Sequence, residues 1–238
     1  MRTHEKVLAR IESDLAAGRW ALGERLPAER ALAEELQVSR PSVREAIRIL
    51  EAMGMIRTAV GSGPDAGATV IDRPAAGLGA AVRLHVASGT LPVHDVVATR
   101  ATLETWAVRE AAARSGDTDD GWAAEATRLL EAMEVPGLAV DEFVRLDQDF
   151  HLVLVRLAGN QLVEAILAGL RSAVASYVAR GVQQLPAWPA TADRLCGEHR
   201  EILDAVVAGD VDRAERETRE HIWGFYRETG LAGDSPAS

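Results

Sequence analysis

Apolar residues recur at three- and four-residue intervals along most of this chain. Between His4 and Ala17, Val7, Leu8, Ile11 and Leu15 share one helical face, and Gly18 is a stop signal. Pro27 suits the first turn of a helix, so a second helix is expected from there to Leu36, burying Leu32 and Leu36. Gln37 and Val38 make a short turn. Ser39 is a good N-cap, and Pro41 fits the first turn of a third helix. That helix runs to Met53 with Val43, Ile47 and Leu50 inward, and Gly54 ends it. Two short helices joined by a tight turn, after one preceding helix, form a helix-turn-helix pattern. In that geometry the second helix lies in the major groove and its N-terminal residues face the bases. Those residues here are Ser39, Arg40, Ser42 and Arg44. Arginine bonds guanine bidentately, and serine suits phosphate or base edges.

Two short β-prone runs follow, Met55–Thr58 and Ala68–Ile71, on either side of a glycine-rich stretch. They read as a hairpin, and its place after the third helix makes it a wing. Asp72 to Ala76 reads as a linker. From residue 77 the strand signals vanish. The spacing predicts about seven helices, over 77–88, 93–115, 118–133, 138–158, 160–182, 190–208 and 210–229. The expected fold is therefore mainly α. A winged helix-turn-helix occupies residues 1–73, an all-α bundle 74–230, and a disordered tail 231–238.

Composition fits that reading. Aromatics make up only 4%, so the helices must pack through small and aliphatic side chains. The single cysteine, Cys196, excludes a disulfide framework within the chain and suits a reducing compartment. No run approaches 18 uninterrupted apolar residues and Met1–Arg10 lacks a signal-peptide core, so a cytoplasmic protein with no membrane partner is expected. The net charge of −10 is unusual for a DNA binder, but its distribution resolves this. Residues 1–73 hold 11 basic and 11 acidic side chains, whereas the rest holds 15 and 25. Within the neutral part, Arg40, Arg44 and Arg48 form a stripe at helical spacing, which can grip phosphate or simply be a solvated face.

The candidate chemistry of the helical part lies in Asp147 and His151, one helical turn apart. A carboxylate and an imidazole so placed form half of a divalent-metal site. His199 and His221 lie on later helices with apolar neighbours at helical spacing, so both can lean into the bundle. An acid with three imidazoles suits Zn²⁺, Ni²⁺ or Mn²⁺. Solvent pairs and hydrogen-bonded core histidines give the same spacing. Cys196, three residues before His199, is an alternative ligand, although a lone thiol more often packs as a small hydrophobe.

The run Leu26-Pro-Ala-Glu-Arg-Ala-Leu-Ala, the run Val38-Ser-Arg-Pro-Ser-Val-Arg-Glu-Ala-Ile-Arg-Ile-Leu-Glu, and Gly54-Met-Ile resemble the winged-helix signature of GntR-type bacterial regulators. Arg100-x-x-x-Glu104, Asp147-x-x-x-His151, Gly159-Asn160, His199 and His221 resemble the FCD ligand-binding domain of that family's FadR branch. The resemblance implies a homodimer on palindromic operator DNA, chiefly a repressor, released, or less often held more tightly, when a small carboxylic acid enters the helical domain. It implies DNA contacts from Arg30, Ser39, Arg40, Ser42 and Arg44, assisted by the wing glycines Gly61 and Gly63. It implies Asp147, His151, His199 and His221 as ligands of a divalent metal, zinc first among them. Arg100 and Asn160 are then candidates for the effector, with an Arg100–Glu104 salt bridge as the alternative for Arg100. The wing loop is longer than the usual turn and carries Asp65, which phosphate repels. Two other classes stay open. One is a metallohydrolase with a DNA-binding appendage, using Glu198 as base. The other is a DNA-binding protein with a purely structural metal and no effector.

Overall fold

The computed structural model describes residues 3–59, 67–71, 74–114, 121–182, 185 and 187–230. Helix α1 (Thr3–Ala16) is followed by α2 (Glu29–Glu35) and α3 (Arg40–Ala52), then strands β1 (Ile56–Ala59) and β2 (Gly67–Val70). Val7 and Ile11 of α1, Leu32 of α2, and Val43, Ile47 and Leu50 of α3 meet in one small core. Each lies on the face its spacing assigns. The Ser39 Oγ accepts from the Ser42 backbone N–H at 3.3 Å, satisfying one of the free donors at the start of α3. Strands β1 and β2 pair antiparallel, with Ile56 opposite Val70. Residues 60–66, including the wing glycines Gly61 and Gly63, lie outside the described residues, as does the tail from 231.

Pro27 is not in the first turn of α2, which begins two residues later. The preceding segment is instead extended and pairs with β2. Gly23 N–H donates to Val70 O at 2.9 Å, Val70 N–H to Glu24 O at 2.8 Å, and Leu26 N–H to Ala68 O at 2.9 Å. Arg25 and Thr69 face one another in this bridge. Proline suits the exit from such a strand because it has no N–H to leave unpaired.

Seven helices follow among the described residues: α4 (Pro74–Ala87), α5 (Val93–Arg114), α6 (Trp122–Met133), α7 (Val140–Leu157), α8 (Gln161–Val182), α9 (Trp188–Val207) and α10 (Val211–Glu228). The expected linker is shorter than its composition suggests, because α4 begins at Pro74, a residue preset for a first helical turn. Internal contacts divide the chain after Leu78. In the second unit α5 packs against α7 and α10, and α9 against α10 and α6. Phe150, Leu154, Tyr177, Ile202, Ile222 and Tyr226 are fully buried among them. Gly79 lets α4 approach the Gly169 carbonyl of α8, where a Cβ would collide with backbone. The segment Gln161–Ala179 of α8 has the length and apolarity of a membrane span. Half of it is buried inside the bundle, as in a core helix.

Candidate metal centre and nucleic-acid interface

Helix α7 places Asp147 and His151 on one face, one turn apart. Helix α9 contributes His199 and α10 contributes His221, both pointing inward from apolar stripes. One ligand atom from each of the four residues lies within 4.8 Å of every other. His151 Nε2 is 3.3 Å from His221 Nε2 and 3.3 Å from His199 Nε2. Asp147 Oδ1 is 3.1 Å from His199 Nε2 and 3.7 Å from His151 Nε2. The three imidazoles are buried and Asp147 is half-buried.

Two carboxylates approach from outside this cluster. Glu104 Oε2, from α5, is 3.0 Å from His151 Nδ1, and Glu198 Oε2, from α9, is 2.8 Å from His221 Nδ1. At His221 the Glu198 hydrogen bond favours the proton on Nδ1 and a free lone pair on Nε2, whereas at His151 Nδ1 the Glu104 carboxylate is close without a hydrogen bond of good geometry. His151 Nε2 and His221 Nε2 face each other across 3.3 Å. With both rings neutral and Nε2 unprotonated, a cation between them would be ligated by both. The spacing fits, because nitrogens about 2.1 Å from one ion and roughly 90–110° apart lie about 3.0–3.4 Å from each other. The donor set therefore suits a divalent ion.

Electrostatics agrees. Burial, with the neighbouring His221 adding to it, pushes the His199 imidazole down to about 3. Burial also lowers His221 despite its bond to Glu198. Burial alone would raise the Asp147 carboxyl, but the His199 hydrogen bond, with the Arg100 charge adding to it, holds it well below the usual carboxylate range. Neutral imidazoles and an ionised acid are the forms that bind metal. Cys196 stands apart from the cluster, and burial raises its thiol to about 11.

Arg100 is buried on α5 and donates from Nε to Glu104 Oε1 at 2.6 Å. The salt bridge read as one alternative is present. Burial opposes the charge on Glu104, yet Arg100 and His151 bring it down to about 2. Arg100 also lines two cavities. One, of about 370 Å³, is shared with Asp147 and His221. The other, of about 350 Å³, is shared with Glu104 and His151. Asn160 lines neither among their described residues. It is exposed, and its Oδ1 accepts from Leu162 N–H and Val163 N–H at 3.1 and 3.2 Å, capping α8. Its pairing with Gly159 marks a helix start.

At the other candidate site, Ser39 and Arg40 are exposed at the N-terminal end of α3 and Ser42 is half-buried. Ser39 Oγ and Ser42 Oγ are 2.9 Å apart, so both hydroxyls are engaged at the cap. Arg44 is exposed but forked onto Glu29 of α2, with Nη2 at 2.9 Å from Oε2. Arg30 is exposed and lies 3.2 Å from Glu34. Glu51 Oε1 accepts from the Thr58 backbone N–H at 2.8 Å, tying the end of α3 to β1.

Sequence reasoning noted Glu104 and Glu198 but did not connect them to the imidazoles. No spacing rule links α5 to α7 or α9 to α10. The Tyr226 hydroxyl, which donates to the Tyr177 hydroxyl at 2.9 Å, and the Phe143–Trp188 edge contact were likewise unsignalled.

Residues 95–223 match the FCD domain, and residues 3–64 match the bacterial regulatory proteins of the gntR family. The chain is 29% identical over 233 residues to the HTH-type transcriptional repressor NanR of Citrobacter rodentium, covering 92% of this chain and 82% of that protein. It is 28% identical over 225 residues to the Glc operon transcriptional activator of Escherichia coli strain K12, covering 92% and 85%. Among solved structures, Streptococcus agalactiae GntR superposes with a TM-score of 0.65 at 23% identity, covering 94% of this chain and 99% of that one. That likeness speaks for the fold.

Proposed function

The chain belongs to the GntR family of bacterial regulatory proteins and carries an FCD domain, which makes it a ligand-responsive DNA-binding transcriptional regulator rather than an enzyme, and from this premise we propose how it senses. Asp147, His151, His199 and His221 hold a divalent metal, zinc first among the candidates. A small carboxylic acid reaches it through the cavity shared with Arg100. The observation that carries this reading is the convergence of four ligand atoms from three helices, with His151 Nε2 3.3 Å from both His199 Nε2 and His221 Nε2 and Asp147 Oδ1 3.1 Å from His199 Nε2. When bound, the metal supplies a Lewis-acidic anchor for a carboxylate. The protein's own residues do the rest. Glu104 and Glu198 orient the rings, and Arg100 brings a fixed positive charge beside the anchor.

On the DNA side, α3 presents Arg40 and Arg44 at its N-terminal end, with Ser39 and Ser42 at the cap and Arg30 on the neighbouring helix. The partial positive charge of a helix N-terminus adds to theirs. We read the protein as a cytoplasmic homodimer of the FadR branch that meets two half-sites of a palindromic operator and acts as a repressor. Half-site spacing is geometrically strict, so an effector that prefers one arrangement of the dimer shifts operator affinity. The hydrolase alternative asks Glu198 to be a base at the metal. Glu198 instead faces the outer nitrogen of His221 and is ion-paired with Arg194.

The test is operator binding by the zinc-loaded full-length protein, with and without a panel of small carboxylates, beside sedimentation to read the oligomer. A carboxylate-dependent change that disappears on chelation supports the sensor. A protein whose operator affinity ignores both metal and every acid tried leaves only a structural role for the metal.

A further inference from the structure

The cavity beside Asp147 and His221 is lined mostly by apolar side chains. Its ionisable and ligating groups are Asp147, His221 and Arg100. The walls are built from Phe143, Val178, Leu195, Ile222 and Phe225, and Trp188 stands among them as the first residue of α9. Phe143 and Trp188 meet edge to face, with ring centroids 5.1 Å apart and planes at 89°. Tyr226 also lines the cavity, but its hydroxyl proton is already given to Tyr177 at 2.9 Å. Among the described lining residues, the Trp188 indole N–H is the one donor away from the cluster.

Resting on the metal-and-carboxylate reading above, we infer that the effector is a monocarboxylate with an aromatic or branched aliphatic body, rather than a polyhydroxylated acid. The acid group has a charged end to meet. A sugar-like body meets at most the Trp188 indole N–H, so most hydroxyls entering the walls lose their water without gaining a partner. An apolar body of the same size loses only unfavourable hydration. Trp188 and Phe143 offer ring faces and edges that suit an aromatic guest.

The experiment is titration calorimetry on the zinc-loaded full-length protein. Phenylacetate and 4-methylpentanoate are compared with gluconate and glucuronate, and tryptophan emission is read in parallel. The apolar acids should bind on the order of ten- to a hundredfold more tightly. They should also shift an emission band that Trp188→Phe removes. Leu195→Asn, which places a hydrogen-bonding group on the wall, should shrink the preference. Equal or tighter binding of the sugar acids, lost in His221→Ala, overturns this inference while leaving the sensor reading intact. Failure of all four acids to bind the zinc-loaded protein defeats the sensor reading and this inference with it.

Discussion

His151 Nε2 stands 3.3 Å from His221 Nε2, and the far nitrogen of each ring faces a carboxylate, Glu104 at 3.0 Å and Glu198 at 2.8 Å. Neither carboxylate is close in sequence to the histidine it serves. The two carboxylates come from different helices, α5 and α9, and each lies behind a ring that meets the other across the cluster.

Glu198→Gln removes the charge behind His221 but keeps the side chain's shape. Metal affinity should fall about 10- to 100-fold, the usual cost of losing such an outer partner. Competition with a chromophoric chelator measures this directly. Unchanged affinity would mean that Glu198 serves only its ion pairs on α9.

His199→Ala and Asp147→Asn should abolish the thermal stabilisation that added zinc gives the wild type. A ligand at a hundred times its dissociation constant stabilises by about 2.7 kcal/mol, a rise in midpoint readily seen by calorimetry. If either variant responds to zinc as the wild type does, the metal sits elsewhere.

The metal-free protein should lose stability as pH falls from about 6.5 toward 3. His199 is held near 3 in the fold, and burial lowers His221 as well. Below 6.5 the unfolded chain therefore binds more protons than the folded one. Each such group then removes up to about 1.4 kcal/mol per pH unit. Asp147 and Glu104, both lowered by their partners, act in the same direction once pH falls below their ordinary values. Urea unfolding of chelator-treated protein between pH 4 and 8 tests the slope. A flat profile would contradict the buried, neutral state of these rings.

Arg40→Ala should weaken operator binding by about 1–3 kcal/mol if it reads a base, with the loss depending on sequence. Glu29→Gln should act in the opposite direction, since it releases Arg44 from the fork now holding it. Fluorescence anisotropy at two salt concentrations separates the cases. A uniform loss with a shallower salt slope marks a phosphate contact instead. All these side chains lie at the surface or half-buried, so circular dichroism should show an unchanged fold.

Arg100→Met leaves Glu104 buried without its counter-charge. It should destabilise the metal-free protein by about 3–5 kcal/mol, and Glu104→Gln in the same chain should recover part of that loss. Denaturant titration of the single and double variants provides the check.

The residue order alone determined the helices, because most of them bury a stripe written every three or four residues, even though α7 is buried all round over Phe150–Val155. Ser39 at the cap of α3 and the Asp147–His151 turn were legible for the same reason, being local. Longer-range partners were not. The Gly23–Leu26 segment becomes strand-like only because β2 lies beside it, and Pro27 then reads as a strand exit rather than a helix start. Asn160 is spent on a cap that its sequence neighbours require. Glu104 behind His151 and Glu198 behind His221 depend on how α5, α7, α9 and α10 are rotated against one another. That rotation is set by packing across the whole core, and no short stretch of sequence carries it.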